Sequence, residues 1–177
     1  MGVVFTLLQQ AVAERYGEDV WDDLLESAGL VGAYTSLGDY PDAELFGLVE
    51  QAARVTGLPA QDIIRWFGRS ALPRLAVQYP GFFQGHSGTR SFLDTLNDII
   101  HPEVRKLYPG ADVPWFDFTE RPSGDLVMGY ASHRRLCSFA EGLIEGAAAH
   151  FRESIAIVQP SCMLRGDRSC ELVIHVG

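Results

Sequence analysis

Near residue 110 the hydrophobic period of this chain changes, and that change constrains the fold more than any other feature. Before it, apolar residues recur every three or four positions, the spacing of helices with one buried face. Val4, Leu7, Leu8 and Val12 share such a face over residues 3–16. The stretch "GEDVWDDLLESAGL" opens on acids and closes on glycine, as a second helix should. In "SLGDYPDAELFGLVEQAARVTG" a turn leads into a helix, with Asp42 expected as N-cap and Gly57 as the stop. The next stretch, "LPAQDIIRWFGRSALPRLAVQYPGFF", keeps helical spacing and is expected to bend at Pro73. "SGTRSFLDTLNDIIHPEVRKLYPG" predicts one further helix, carrying His101 and Pro102.

Beyond that point the pattern alternates. "FDFTERPSGDLVMGYAS" flanks a Pro-Ser-Gly-Asp turn, a hairpin signal. "RRLCSFAEGLIEGAAAHF" is helical, and "SIAIVQPSCMLRGDRSCELVIHV" is a second hairpin with Gly166-Asp167 in its turn. The expected class is therefore α+β. A helical part over about residues 1–110 packs on a C-terminal antiparallel sheet, with one or two helices, over about residues 111–177. No repeat or linker divides the chain, so residues 1–177 are expected to form one domain whose halves share one core.

Of the 177 residues, 47% are hydrophobic and 21% charged, which suits a globular chain with a substantial core. The net charge of -9 argues against nucleic acid or an anionic membrane as partner. No apolar run is long enough to span a bilayer. The chain carries three cysteines and no convincing export signal, which predicts a cytoplasmic protein with thiols that are free or bind metal.

Three constellations carry candidate chemistry. Tyr130, Ser132 and Arg134 alternate in "GYASHRRLC". On a strand such residues share a face, so three donors converge, one of them a guanidinium suited to a carboxylate. An exposed polar strand face has the same spacing. His101 follows two isoleucines in "LNDIIHPEV". It reads either as a packed core residue or as the axial ligand of a haem iron, which needs a neutral imidazole and an apolar pocket. Cys162 and Cys170 face each other across the second hairpin turn, and Cys137 opens the preceding helix. Three thiolates suit a structural zinc site, which wants a fourth ligand that His133 or His175 could supply. They also suit three unrelated buried thiols or a Cys162–Cys170 disulfide. No Walker loop, G-x-S-x-G, H-E-x-x-H or nucleophile–base pair is present, so the chain is not expected to be an enzyme.

Together these residues resemble the H-NOX family, the haem nitric oxide/oxygen-binding domains related to the haem domain of soluble guanylate cyclase. "ERYGEDVWDDLLESAGL" looks like the family's N-terminal helices and "HPEVRKLYPGADVP" like its proximal haem segment. "YASHR" matches its Y-x-S-x-R motif. The resemblance covers essentially the whole chain. It implies haem b, with His101 as iron ligand, Tyr130, Ser132 and Arg134 on the propionates, and Pro114 pressing on the porphyrin. It places Val4, Leu8, Ala71, Phe139 and Leu143 in the distal pocket. Where some members carry an O2-binding tyrosine, this chain has Phe139. Bound O2 gains from a donor and NO does not need one, so a dry pocket implies NO and CO binding with O2 excluded. The missing charge-assisted bond is worth roughly 1.5–3 kcal/mol. Signalling would run through release of the histidine to a separate partner, a histidine kinase or a cyclic-di-GMP enzyme in the family. Some bacterial members also hold zinc through three cysteines and a histidine. Cys137, Cys162 and Cys170 match, but the histidine position is Gln159 here. Two alternatives are a haem-independent zinc/cysteine redox sensor and a hydrophobic-ligand module resembling the V4R family, which leaves the pairing of His101 with "YASHR" unexplained.

Overall fold

A computed structural model describes residues 2–177. The four N-terminal helices are α1 (Gly2–Tyr16), α2 (Glu18–Ala28), α3 (Asp42–Thr56) and α4 (Ala60–Gln78). After them come α5 (Thr89–Leu93) and α6 (His101–Leu107), then β1 (Trp115–Glu120), β2 (Leu126–Ala131), α7 (Cys137–Phe151), β3 (Ile155–Ser161) and β4 (Cys170–Val176). The strands form one antiparallel sheet in the order β1-β2-β4-β3. The α+β class, with a helical part followed by an antiparallel sheet, is the fold the sequence predicts.

Local chemistry explains most boundaries. Helix α3 stops at Gly57, whose φ of 71° is the left-handed conformation glycine adopts without strain. The turn between β3 and β4 relies on Gly166 in the same way, at φ 98°. Pro160 lies in β3, an edge strand, beside a register shift between Val158 and Ser161, where a missing N–H costs least.

Three expectations are corrected. Asp42 does not cap α3: the N-cap is Pro41, and the Asp42 side chain is drawn instead to Arg134. The single helix expected around His101 is three pieces, because Leu96–Ile100 widens into a π-helical turn between α5 and α6. Nor is there a single core: the halves meet in one cluster, and the helical part holds a second. One buried apolar cluster joins α1 to α4, and another joins the sheet to α5 and α7.

Helices α4 and α7 cross with their backbones nearly touching. A Cβ on Gly68 would lie 2.4 Å from the Phe139 carbonyl oxygen, and one on Gly142 would lie 2.0 Å from that of Arg65. Only glycine permits that approach. Ion pairs flank the crossing, with Arg65 2.5 Å from Glu145 and 3.5 Å from Glu141. The crossing fixes Phe139 against Phe67, with ring centroids 4.9 Å apart.

Candidate functional site

A cavity of about 240 Å³ lies between the two apolar clusters and takes its walls from both. Val4 and Leu7 of α1, Phe67 and Leu72 of α4, and Phe139 and Leu143 of α7 line one part. Ile100, His101, Val104, Pro114 and Phe116 line another, and Tyr130, Ser132 and Arg134 reach the same space. Sequence reasoning thus named most of the polar lining and Pro114, Val4, Phe139 and Leu143. Leu8 and Ala71 are buried in the helical cluster without lining the cavity. Leu7 and Leu72 are the lining residues nearest them in sequence, the one-residue shift expected when helical positions are matched without an alignment.

His101 opens α6 directly after the π turn. Burial holds its imidazole well below the ordinary histidine range, at about 4. The Pro114 backbone offsets part of that shift, and the Arg105 charge adds to it. Its Nδ1 is buried without a hydrogen-bond partner, and its ring lies 5.5 Å from that of Phe116. The group is therefore a neutral imidazole in an apolar wall, the form in which histidine binds a metal.

The three donors do not share one strand face as the spacing predicts, because β2 ends at Ala131. Ser132 and Arg134 lie in the following turn, where Arg135 takes the left-handed conformation at φ 51°, unusual for a residue with a side chain. The turn still converges all three on the cavity. Buried Tyr130 accepts the Leu136 N–H at 3.0 Å, and Ser132 accepts the Arg134 N–H at 3.2 Å. A lone pair of each hydroxyl is taken by main chain, and the two hydroxyls also lie within hydrogen-bond reach of each other. Burial raises the Tyr130 pKa, against lowering by the Ser132 hydroxyl and the Leu136 amide, so the phenol stays protonated.

Arg134 is paired with a residue that sequence reasoning missed in this role. Its Nε and one terminal nitrogen donate to Asp42 at 2.7 and 2.5 Å. That uses one edge of the planar fork and leaves the other for a second anion. Also unforeseen is a hydroxyl pair between Tyr79 and Tyr108, both in the cavity lining. Nothing in "QYPGFF" or "KLYPG" signals that these tyrosines meet.

The three cysteine sulphurs converge. Sγ of Cys162 lies 3.7 Å from that of Cys137 and 4.0 Å from that of Cys170. Four ligands at the Zn–S distance would sit about 3.8 Å apart. No described histidine or carboxylate joins them. His133 and His175, expected as replacements for the missing histidine, are exposed and pair with Asp112 and Asp125 instead. The thiols are free and buried, and burial foremost pushes Cys137 up to about 12.

The donor set fits a haem. It offers one neutral imidazole whose Nδ1 has no hydrogen-bond partner, apolar walls, and two hydroxyls with a half-free guanidinium for a carboxylate-bearing edge.

Comparison with known proteins gives one answer. The family model described as Haem-NO-binding matches residues 1–159. An H-NOX protein from S. oneidensis, solved in the Fe(II)NO ligation state, superimposes with a TM-score of 0.94 at 33% identity over 99% of this chain and 98% of that one. The unliganded Fe(II) H-NOX protein from K. algicida gives a TM-score of 0.88 at 26% identity, covering 99% and 96%. Soluble guanylate cyclase gcy-34 of Caenorhabditis elegans is 25% identical over 83% of this chain. The alignment takes in 22% of that relative, so the chain spans about a fifth of the length of the curated relatives it matches.

Proposed function

Because this chain belongs to the haem-NO-binding (H-NOX) family, we propose that it is a non-catalytic gas sensor. It takes NO and CO at a ferrous haem b, excludes O2, and signals to a separate protein through release of His101. A signalling enzyme such as a histidine kinase or a cyclic-di-GMP enzyme is the proposed partner, in a cytoplasmic setting. Among the described residues no helix is long and apolar enough to cross a membrane.

The observation that carries this reading is the cavity between the two apolar clusters, with His101 in its wall and Tyr130, Ser132 and Arg134 in its lining. The haem, when bound, supplies the iron at which a diatomic gas is held. His101 presents a neutral nitrogen to that iron, kept unprotonated by burial. Tyr130 and Ser132 would turn their hydroxyls to a propionate, and Arg134 would offer it the fork edge that Asp42 leaves open. Pro114 shapes the wall beside His101. Val4, Phe139 and Leu143 present no donor to a bound gas, which costs O2 more than NO or CO. The whole-chain match to this family leaves the V4R-like reading without support.

The thiols carry a second proposal. Cys137, Cys162 and Cys170 offer three of the four ligands of a zinc site, and the Met163 N–H already donates to Cys170 sulphur at 3.2 Å. Metal-free, Cys137 and Cys170 make a poor redox input on their own, since buried thiols with raised pKa values yield little thiolate.

The test is the absorption spectrum of protein expressed with haem supplied. A Soret band is expected, lost in His101→Gly and restored by added imidazole. The reduced protein in air should form no stable oxygen complex. Absence of the band, or a stable oxygen complex, refutes the corresponding part. Metal analysis of wild type against Cys162→Ala checks the thiol site, with zinc expected in the first only.

A further inference from the structure

The joint between the His101 segment and the sheet has a polar fastening. Asn97 lies in the π turn, four residues before His101. Its Nδ2 donates to the Phe116 carbonyl oxygen at 2.6 Å, and its Oδ1 accepts the Phe116 N–H at 3.1 Å. Strand β1 is the sheet edge, so these are the main-chain groups that point away from β2 and have no strand beside them. The carboxamide imitates one residue of a missing neighbour strand. Only one orientation of the amide satisfies both bonds.

The backbone around Asn97 is distinctive as well. Ile100 N–H bonds back to the Thr95 carbonyl at 3.0 Å, and His101 N–H to that of Leu96, five residues back in each case. Such turns place one more residue than an α-helical turn and recur at functional positions. Phe116 closes the circuit. Its ring packs on His101 at 5.5 Å and on Tyr130 at 6.0 Å between centroids. One buried side chain thus touches the iron-ligand candidate and the clamp, while its main chain is held by the turn that carries the former.

We propose that Asn97 is the positioning residue of the sensor: it ties the π turn bearing His101 to the edge strand, holds His101 in place, and carries the release of His101 into β1. The proposal rests on the reading of His101 as the iron ligand. Two hydrogen bonds at an otherwise unpaired strand edge make a fastening that opens without unfolding the sheet behind it.

The experiment uses the haem-loaded ferrous protein with and without NO. Absorption reports whether the iron–imidazole bond is intact, and NMR hydrogen exchange reports the Phe116 N–H. In wild type, NO that breaks the bond to His101 should speed Phe116 exchange about tenfold, roughly one net hydrogen bond, while β4 amides stay unchanged. Asn97→Ala should exchange fast at Phe116 whether or not NO is present. It should also shift the NO-loaded protein toward the His101-released form, within the about 2- to 30-fold range of residues that modulate coupling. Asn97→Asp keeps the acceptor for the Phe116 N–H and loses the donor, so it should retain an NO-dependent exchange. If the spectrum shows His101 released while wild-type Phe116 exchange is unchanged, Asn97 merely caps the edge strand and the proposal is overturned. A spectrum without any iron–imidazole signature overturns the haem reading itself, and this proposal with it.

Discussion

Asp42→Asn should weaken the haem-free protein and tighten its grip on haem. Arg134 is 14% exposed and Asp42 35%, so their pair is partly shielded from water. Both bonds are short and use one edge of the guanidinium. Hydrogen bonds to charged partners contribute about 1.5–3 kcal/mol, against about 0.5–1.5 for neutral ones. Asparagine keeps one oxygen acceptor and turns a donor toward the other guanidinium nitrogen, so the loss is at least the charged-to-neutral difference, about 1–2 kcal/mol in the haem-free protein.

In the haem-loaded protein a propionate on the open edge of the fork compensates part of that loss. If half is compensated, the two states differ by about 0.5–1 kcal/mol, and linkage requires haem to bind about two- to fivefold tighter in the variant. Part of Asp42's contribution comes from its place in the first turn of α3, but that helix-dipole effect is common to both states and cancels. Urea unfolding of the haem-free protein and haem titration of both proteins measure the two halves. Weaker haem binding in Asp42→Asn would refute the reasoning, since Asp42 would then be aiming Arg134 at the propionate rather than sharing it.

Three other outcomes are expected. Gly142→Ala should destabilise the fold by about 1–3 kcal/mol or more from overpacking, read as a sharply lower melting temperature, because its new methyl meets the Arg65 backbone at 2.0 Å. The same change at Gly47, where nothing lies within 4 Å, should stabilise helix α3 by about 0.5–1 kcal/mol. Acid should destabilise the haem-free protein through His101. Its folded pKa of about 4 lies below the ordinary value of 6.5, so the unfolded chain takes up the proton first. Stability present above pH 6.5 is then lost as the pH falls toward 4, by up to about 3 kcal/mol, and pH-dependent urea melts of wild type and His101→Leu should differ by that amount. Finally, Phe139→Tyr should let the ferrous protein form an oxygen complex visible in its spectrum, with affinity raised by about one to two decades.

What was legible in the sequence follows from how each signal is encoded. The helix-to-sheet order, the glycine stops and both hairpins are written in neighbouring residues, and the fold repeats them. The polar lining was legible for a different reason: His101 and "YASHR" are family patterns, not consequences of spacing. Strand alternation predicted one face for Tyr130, Ser132 and Arg134, yet β2 ends at Ala131 and a turn does the converging. Asp42 misled because an aspartate at a helix start usually caps it, and a guanidinium 92 residues away outcompeted the helix for that carboxylate. Asn97 gave no signal at all. Its partner is a main-chain edge that exists only once the sheet has formed.

The two parts of the cavity wall are held with different firmness, and this decides where a response can travel. Helices α4 and α7 meet backbone to backbone through Gly68 and Gly142 and are braced by Arg65 on Glu141 and Glu145. A sub-ångström shift there meets carbonyl oxygens at once, so Phe67, Phe139 and Leu143 form a rigid face. The His101 part hangs on α6, seven residues long, on a π turn, and on an edge strand with a neighbour on one side only. Its polar tie to that strand is the pair of bonds from Asn97. Packed cores move between discrete arrangements, and the weaker contacts give first. On the proposed reading, energy released at His101 therefore has one soft direction open to it, through Phe116 into β1, and the α4–α7 crossing serves as the fixed body against which that movement is measured.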